Sequence, residues 1–495
     1  MKRTLAQQDS PENAKRSKDE SDNDEELVLP TRASTSSAPS AELKKASTSA
    51  DSSVVKKPTP KLASIFQPRS ATASVNGASS SSAKGLKWLD PAGPNKTCLH
   101  GVYGDPQPSS QVAFYDLDGT VVRPKNGKTF PSKTDEYDFE FLFPRAAGTL
   151  SAIQRIQEQH KQGFSVVIIT NQKQTAYSAK SGLTTWKKKM AHIAAAIDVP
   201  LRVLAALGDD EFRKPRLGMW AEFQKYNGGL EMDLKQSFFV GDAAGRKKTR
   251  DHQDTDLKWA LNAGLAFYTP EEYFLGKGRE YEIPYRPWSP SHSAPENTLT
   301  GLVAEPEDEM LTVELSALNT DSARVMLGDV AETQIVLFVG PPASGKTYLF
   351  HRTFAPATYV HVNQDTLNTR DKCLRVVADT IAADQSCVVD NTNRDAKTRK
   401  LYIDLARTLG VKIRCIYFDV PKHVCVHNNH FRAYHGPTNE REVKRPILPY
   451  TAIERYFQQL EVPRREEGFD SQVVRVRWGW SGDEEVGRRW RMYYH

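Results

Sequence analysis

Asp116 and Asp118 stand two residues apart in Phe114-Tyr-Asp-Leu-Asp-Gly119-Thr120, at the end of the apolar run Gln111–Tyr115. A carboxylate carried by a buried strand into a polar loop can attack a phosphoryl group directly, dividing one hard displacement into two easier ones. A second carboxylate beside it can protonate the leaving oxygen and then activate water. Asp116 is therefore the expected nucleophile and Asp118 the acid and base. A magnesium ion, which takes oxygen ligands, would sit between Asp116, Asp242 and the backbone carbonyl of Asp118. Thr170 and Asn171 would offer the phosphate neutral donors, and Lys214 a point charge.

The second half of the chain is written for the opposite transfer. Gly340-Pro-Pro-Ala-Ser344-Gly345-Lys346-Thr347 follows the apolar run Gln334–Val339 and opens a helical stretch. Glycines there let backbone N–H groups cradle phosphates at a helix N-terminus. Gly340, Ser344 and Gly345 would form the cradle, Lys346 would reach the β- and γ-phosphates of ATP, and Thr347 would hold magnesium. A kinase also needs a group that deprotonates its acceptor. Asp365 ends the strand-like run Tyr359–Asn363 and is the candidate base. Asp390, at the end of Ser386–Val389, has two readings: support for the magnesium shell, or a cap on the following helix. Arg432, in His427–Arg432, is the candidate lid arginine for transition-state charge. One site that removes phosphate and one that adds it suggest a substrate with two distinguishable ends.

Positioning these residues requires two α/β layers. Runs 111–115, 164–169 and 236–240 each end in polar residues, with a helix expected over Arg145–Gln159, which is how an open sheet builds a site at its carboxyl edge. The expected fold is two doubly wound parallel-sheet domains after a disordered tail: residues 1–85 the tail, 86–285 the first domain, 286–330 a polar connector with Pro287, Pro290 and Pro295, and 331–495 the second domain. Such a connector is compatible with independent modules and with fixed packing alike. The hydrophobic share of 39% is below the ~45–50% typical of globular chains. The deficit lies in the Ser-, Ala-, Thr-, Lys- and Asp-rich tail, which cannot bury enough apolar surface to order itself. No apolar run approaches the ~18 residues of a membrane span, and no secretory signal is expected. Five cysteines without CxxC spacing read as reduced thiols. Lys2-Arg3 followed by Lys15-Arg16-Ser17-Lys18 has the form of a bipartite nuclear import signal, so a nuclear protein is expected. The acidic run Asp19–Glu26 is a solvated block or a docking tail for repair partners.

The gaps from Asp116 to Thr170 and from Asn171 to Lys214 are too short for a large cap domain, so the first site is expected to be open to a macromolecular end. Arg246-Lys247-Lys248-Thr249-Arg250 would place positive charge beside it, suited to a nucleic-acid backbone or simply solvated.

The ordered set Asp116–Thr120, Thr170-Asn171, Lys214-Pro215 and Gly241-Asp242 resembles the haloacid dehalogenase superfamily of phosphatases. Together with Gly241-Asp-Ala-Ala-Gly-Arg246, the second-half phosphate loop, His361-Val-Asn-Gln-Asp365-Thr-Leu, Asp390-Asn-Thr-Asn393 and His427–Arg432, the chain resembles the polynucleotide kinase 3′-phosphatases from about residue 86 onward. The resemblance implies a magnesium-dependent 3′-phosphatase followed by an ATP-dependent 5′-kinase. The implied substrates are DNA ends with 3′-phosphate and 5′-hydroxyl groups, at nicks, gaps or double-strand breaks, handled by a monomer. It implies the roles given above for Asp116, Asp118, Asp242 and Asp365, and it marks Asp256 as a second acidic position and Arg432 as the second arginine of an Arg-Phe-Arg lid. Two positions depart from the family. Gln364 replaces an arginine, removing a charge near the acceptor, and His430 replaces the first lid arginine. Residues 1–85 have neither the length nor the strand pattern of the forkhead-associated domain of animal members. An RNA-end healing kinase–phosphatase is the alternative, since both chemistries are shared and nothing in the sequence reads a 2′-hydroxyl.

Overall fold

The computed structural model describes residues 85–495 except 126, 129–131, 144–149, 173–181, 250, 289–309, 437–443 and 481. The tail with its basic clusters and acidic run, Arg250, and Pro290 and Pro295 of the connector lie outside the described residues.

The first half runs β1 (Leu86–Trp88), β2 (Cys98–Tyr103), β3 (Val112–Tyr115), β4 (Val122–Arg123), β5 (Glu140–Phe141), α1 (Ala152–Lys161), β6 (Ser165–Asn171), α2 (Leu183–Ile197), β7 (Leu201–Ala206), α3 (Gly218–Gln224), β8 (Phe238–Val240), α4 (Thr255–Ala263), β9 (Ala266–Tyr268) and α5 (Pro270–Leu275). Its main sheet has the order β1-β2-β7-β6-β3-β8-β9. Strands β7 to β9 are parallel. Successive residues of β3 and β6 enter different cores: Ala113, Tyr115, Val166 and Ile168 pack with α1 and α2, while Phe114, Val167 and Ile169 pack with α3 and α4. Burial on both faces is why these strands read as unbroken apolar runs.

Two expectations are corrected here. The sheet is not wholly parallel, because β2 pairs antiparallel with both β1 and β7; this pairing covers the β7 edge. The helix expected over Arg145–Gln159 begins at Ala152, and 144–149 lie outside the described residues. Ser151 and Gln154 form a reciprocal capping box that starts it.

The second half runs β10 (Met310–Glu314), α6 (Thr320–Leu327), β11 (Gln334–Val339), α7 (Lys346–Leu349), β12 (Val360–Val362), α8 (Gln364–Leu367), α9 (Arg370–Ala382), β13 (Cys387–Asp390), α10 (Ala396–Leu409), β14 (Lys412–Asp419), α11 (Lys422–His435), α12 (Tyr450–Gln458), β15 (Val473–Arg477) and α13 (Glu484–Trp490). The sheet, β10-β15-β14-β11-β13-β12, is parallel throughout. The segment 286–330 is thus not all connector: β10 pairs along its whole length with β15, and α6 starts on an Asn319–Ser322 capping box. Only Val313 of β10 is buried, so its sequence lacks the apolar run of an interior strand.

In each sheet the chain reverses direction around one strand, β3 between β6 and β8, and β11 between β13 and β14. The crevice at such a switch point is where open α/β sheets bind ligands, and Asp116 and the Gly340–Thr347 loop follow those two strands.

The halves touch directly. Residues 493–495, beyond α13, lie against the first half. Asn262 Nδ2 donates to Tyr493 O (2.9 Å) and to Pro215 O (2.9 Å), and Tyr493 N donates to Asn262 Oδ1 (2.8 Å). Arg216 Nη1 donates to Tyr494 O (3.1 Å), and Lys258 Nζ to His495 O (2.8 Å). Trp288 packs between His427 and Tyr493.

Candidate active sites

The ends of β3 and β8, the loop after β7 and the first turn of α4 bring three carboxylates and one ammonium together. Asp116 follows β3 and is anchored by its N–H to Val240 O at 2.8 Å. Lys214 Nζ donates to Asp116 Oδ1 (2.6 Å) and Ile169 O (3.0 Å), and pairs with Asp256 Oδ1 at 2.7 Å. Asp116, Asp242 and Asp256 each offer an oxygen, all within 4.8 Å of one another. Asp256, in the first turn of α4, accepts from Ala243 N at 3.0 Å. Burial, then the Asp256 and Asp242 charges, push the Asp116 carboxyl well above its usual range, with Lys214 pulling the other way. Burial and Asp256 push Asp242 up to about 7. Burial alone would lower the Lys214 ammonium, but Asp116 and Asp256 outweigh it and hold it above the lysine range. Three carboxylates against one ammonium form an all-oxygen, net-negative cluster, a donor set that suits a hard divalent cation.

Close approach dictates the glycines. Gly119 has φ +88°, and a methyl there would lie 2.3 Å from Asp242 Oδ2; a methyl on Gly241 would lie 2.6 Å from Asp256 Oδ2. Only glycine lets the two loops carry their carboxylates this near to each other.

The neighbouring residues divide differently from expectation. Asp118 Oδ2 accepts from Gln172 Nε2 at 2.7 Å, and the same amide donates to Thr170 Oγ1 at 3.0 Å. Gln172 thus orients the expected acid/base, a role its place after Thr170-Asn171 hinted at without specifying. Asn171, expected to bind phosphate, is instead committed to the Lys214 backbone: its Oδ1 accepts from Lys214 N (2.9 Å) and its Nδ2 donates to Lys214 O (3.1 Å). Arg246 does not offer its charge to a ligand. It is buried, bonded to Asp251, Glu271 and Asp242 O, while Lys247 and Lys248 remain exposed.

In the second half the phosphate loop joins β11 to α7. Lys346 Nζ folds back on Gly340 O (3.0 Å) and Pro341 O (2.7 Å), and burial lowers its ammonium. Asp390 Oδ2 accepts from Thr347 Oγ1 (2.7 Å) and meets His361 Nε2 (2.9 Å). Burial would raise this carboxyl, but His361, Lys346 and Thr347 hold it below the usual range. Its helix-capping alternative is excluded, because Asp395 caps α10 by accepting from Thr398 N. His361, whose ring stacks on Phe350 at 4.1 Å, belongs to the site although its sequence position carried no assigned role.

Asp365 opens α8 with its side chain 81% exposed, 3.8 Å from Arg445. Gln364 N donates to Asn391 Oδ1 (2.7 Å), tying the loop after β12 to the loop after β13. Arg432 is held by Asn429 at 3.1 Å, its Nε has no partner among the described residues, and burial and Arg445 lower its guanidinium to about 10. Arg445, in a loop of no recognisable pattern, was not foreseen. His430, expected in the lid, stacks on His495 and Tyr434, toward the junction with the first half. Asn428 joins the phosphate loop to α13, donating to Ala343 O and accepting from Trp490 Nε1.

Similarity to known proteins follows the same division. Residues 111–274 match the family described as polynucleotide kinase 3 phosphatase, and residues 335–449 match an AAA domain. Over 192 residues the chain is 34% identical to the polynucleotide 3′-phosphatase ZDP of Arabidopsis thaliana, a match covering 34% of this chain and 24% of that protein. The bifunctional polynucleotide phosphatase/kinase of Schizosaccharomyces pombe is 32% identical over 367 residues, covering 74% of this chain and 80% of the relative. That match cannot fit within either sheet alone. With a carboxylate-and-lysine site on one domain, a nucleotide-binding loop on the next, and likeness to a two-activity relative over most of both lengths, the chain belongs to the bifunctional polynucleotide phosphatase/kinase family.

Proposed function

We propose that the protein processes broken DNA ends, hydrolysing a 3′-phosphate at the first site and phosphorylating a 5′-hydroxyl with ATP at the second. The observation that carries the reading is the pairing of the two sites: the Asp116–Lys214–Asp256 array and the Lys346–Thr347–Asp390 array stand at the switch points of two sheets in one chain.

At the first site an Asp116 oxygen attacks phosphorus and the 3′-oxygen leaves with a proton from Asp118, giving an aspartyl-phosphate. Water then attacks that phosphorus, Asp118 takes its proton, and phosphate departs from regenerated Asp116. Lys214 stabilises charge on the transferring group, and Asn171 holds Lys214 in place. Magnesium bound by the Asp116, Asp242 and Asp256 cluster would supply charge neutralisation of the phosphoryl oxygens. At the second site Asp365 takes the proton of the 5′-hydroxyl. The 5′-oxygen then attacks the γ-phosphorus and ADP leaves. Lys346 would exchange its two loop carbonyls for the triphosphate, and Thr347 and Asp390 would hold magnesium, which would neutralise phosphate charge. Arg432 and Arg445 would offset charge on the γ-phosphoryl group. Under this reading the basic clusters at Lys2-Arg3 and Lys15–Lys18 would carry the enzyme to the nucleus.

The test is a nicked duplex with 3′-phosphate and 5′-hydroxyl termini, given magnesium and γ-labelled ATP. Asp116→Asn is expected to abolish phosphate release and keep 5′ labelling, and Lys346→Ala to do the reverse. Labelling that survives Lys346→Ala at the full rate overturns the kinase half. Preference for an otherwise identical RNA substrate overturns the assignment to DNA.

A further inference from the structure

His361 touches the second site, and the reaction above assigns it no task. It lies on β12, in parallel register with Val388 of β13, and its ring reaches the carboxylate at the end of that neighbouring strand. Its Nε2 meets Asp390 Oδ2 at 2.9 Å. Asp390 is buried, and its carboxyl is held below the usual range. An ionised carboxylate only accepts hydrogen bonds, so Nε2 is the donor.

The ring sits between the parts that must come together around a nucleotide. Thr347 Oγ1 donates to the same Oδ2 at 2.7 Å. Both bonds thus fall on one oxygen, and Oδ1 accepts no hydrogen bond among the described residues. The imidazole also stacks on Phe350, with centroids 4.1 Å apart and planes at 17°. At Phe350 the helix begun by Lys346 and Thr347 widens into the π-turn Phe350–Phe354, where Ala355 N donates to Phe350 O at 2.9 Å. Such turns are frequent at functional sites. The backbone beside the ring is fixed separately. Asn363 donates to Asp390 O at 2.9 Å and accepts from Asp365 N at 2.7 Å. The His361 side chain is 25% exposed, so it borders the open site instead of filling the core. Packing against Phe350 needs only an apolar side chain; the aligned donor serves Asp390.

We propose that His361 is a positioning residue of the kinase: it clamps Oδ2 of Asp390 and so reserves Oδ1 for the magnesium that accompanies ATP. The stack on Phe350 ties this clamp to the helix that carries Lys346 and Thr347. Carboxylate, hydroxyl and phosphate loop are thereby set relative to one another before the nucleotide arrives. Metal-binding side chains are commonly oriented by a second hydrogen-bonding group, whose loss weakens metal affinity about 10–100-fold. His361 acts through Asp390 and moves no proton in the reaction. The inference rests on the kinase reading of the second site.

Binding of a fluorescent ATP analogue to the full chain, in magnesium and in chelator, tests it. Magnesium is expected to tighten binding by the unaltered chain. His361→Leu keeps an apolar side chain against Phe350 but no donor. It should lose about tenfold of the magnesium gain and bind in chelator as the unaltered chain does, which also shows that the site is folded. His361→Gln, which restores a donor, should recover most of the loss. In kinase assays His361→Leu should raise the half-saturating magnesium concentration by a similar factor and leave the KM of the 5′-hydroxyl strand unmoved. A magnesium gain as large in His361→Leu as in the unaltered chain overturns the positioning role. So does a loss that is equal in magnesium and in chelator, or a glutamine variant no better than the leucine one. A chain that labels no 5′ end, yet shows the histidine-dependent magnesium gain, overturns the kinase reading and leaves the clamp standing.

Discussion

Lys214 is the residue on which the first site turns, since it is the one ammonium among three carboxylates. Lys214→Met should lower phosphatase kcat by at least about a hundredfold, the scale of losing one preorganised electrostatic contact, while 5′ labelling persists. The same cluster sets a pH dependence. Asp242 titrates near 7 in the folded chain, above the ~3.9 of an unfolded aspartate. Between those values the folded state binds more protons than the unfolded one, so stability falls as pH rises through about 7. Asp116 shifts in the same direction. Six histidines are shifted down by burial and act in the opposite sense over this range, so the test is a difference. In chelator, the melting temperature of the unaltered chain should fall relative to that of Asp242→Asn between pH 5.5 and 8, and millimolar magnesium should flatten that difference. A difference that grows in favour of the unaltered chain would contradict the account. Asp116, Asp242 and Lys214 were legible in the sequence because each sits at the end of an apolar run or in a short ordered motif. The fate of Arg246 was not. A run of basic residues looks the same whether its arginine meets solvent or two acidic side chains, and Asp251 and Glu271 reach it only through the fold.

At the level of strands and loops, the turn after β3 admits one residue type. Gly119→Ala would place a methyl against Asp242 at positive φ, costing about 1–3 kcal/mol in backbone strain alone, with contact repulsion in addition. Urea unfolding should show the loss, and phosphatase activity should fall with it. Interior strands were legible because burial on both faces leaves continuous runs such as Val166–Ile169. Edge strands were not: β10 exposes most of its side chains, and its place is set by pairing with β15, far along the chain. The capping boxes at Ser151 and Asn319 are the local signals that fix where α1 and α6 begin, and they are visible only once the helix is suspected.

Across the whole molecule, the decisive contact is between residues 493–495 and the loop that carries Lys214. Asn262 makes three hydrogen bonds there, one to Pro215 and two to Tyr493. Asn262→Ala removes all three and leaves the Pro215 and Tyr493 groups to find other partners, which typically costs about 1–3 kcal/mol for each buried group left unpaired. Calorimetry should then resolve two melting transitions where the unaltered chain shows one. No stretch of sequence announces this junction, because its partners lie more than two hundred residues apart and are ordinary polar or aromatic side chains. It also bears on how such a chain could be shortened. A descendant that lost the second domain would leave Arg216, Asn262 and Lys258 facing water beside the Lys214 loop, and would need new side chains to steady it. The two activities are joined by hydrogen bonds as well as by a shared reading frame.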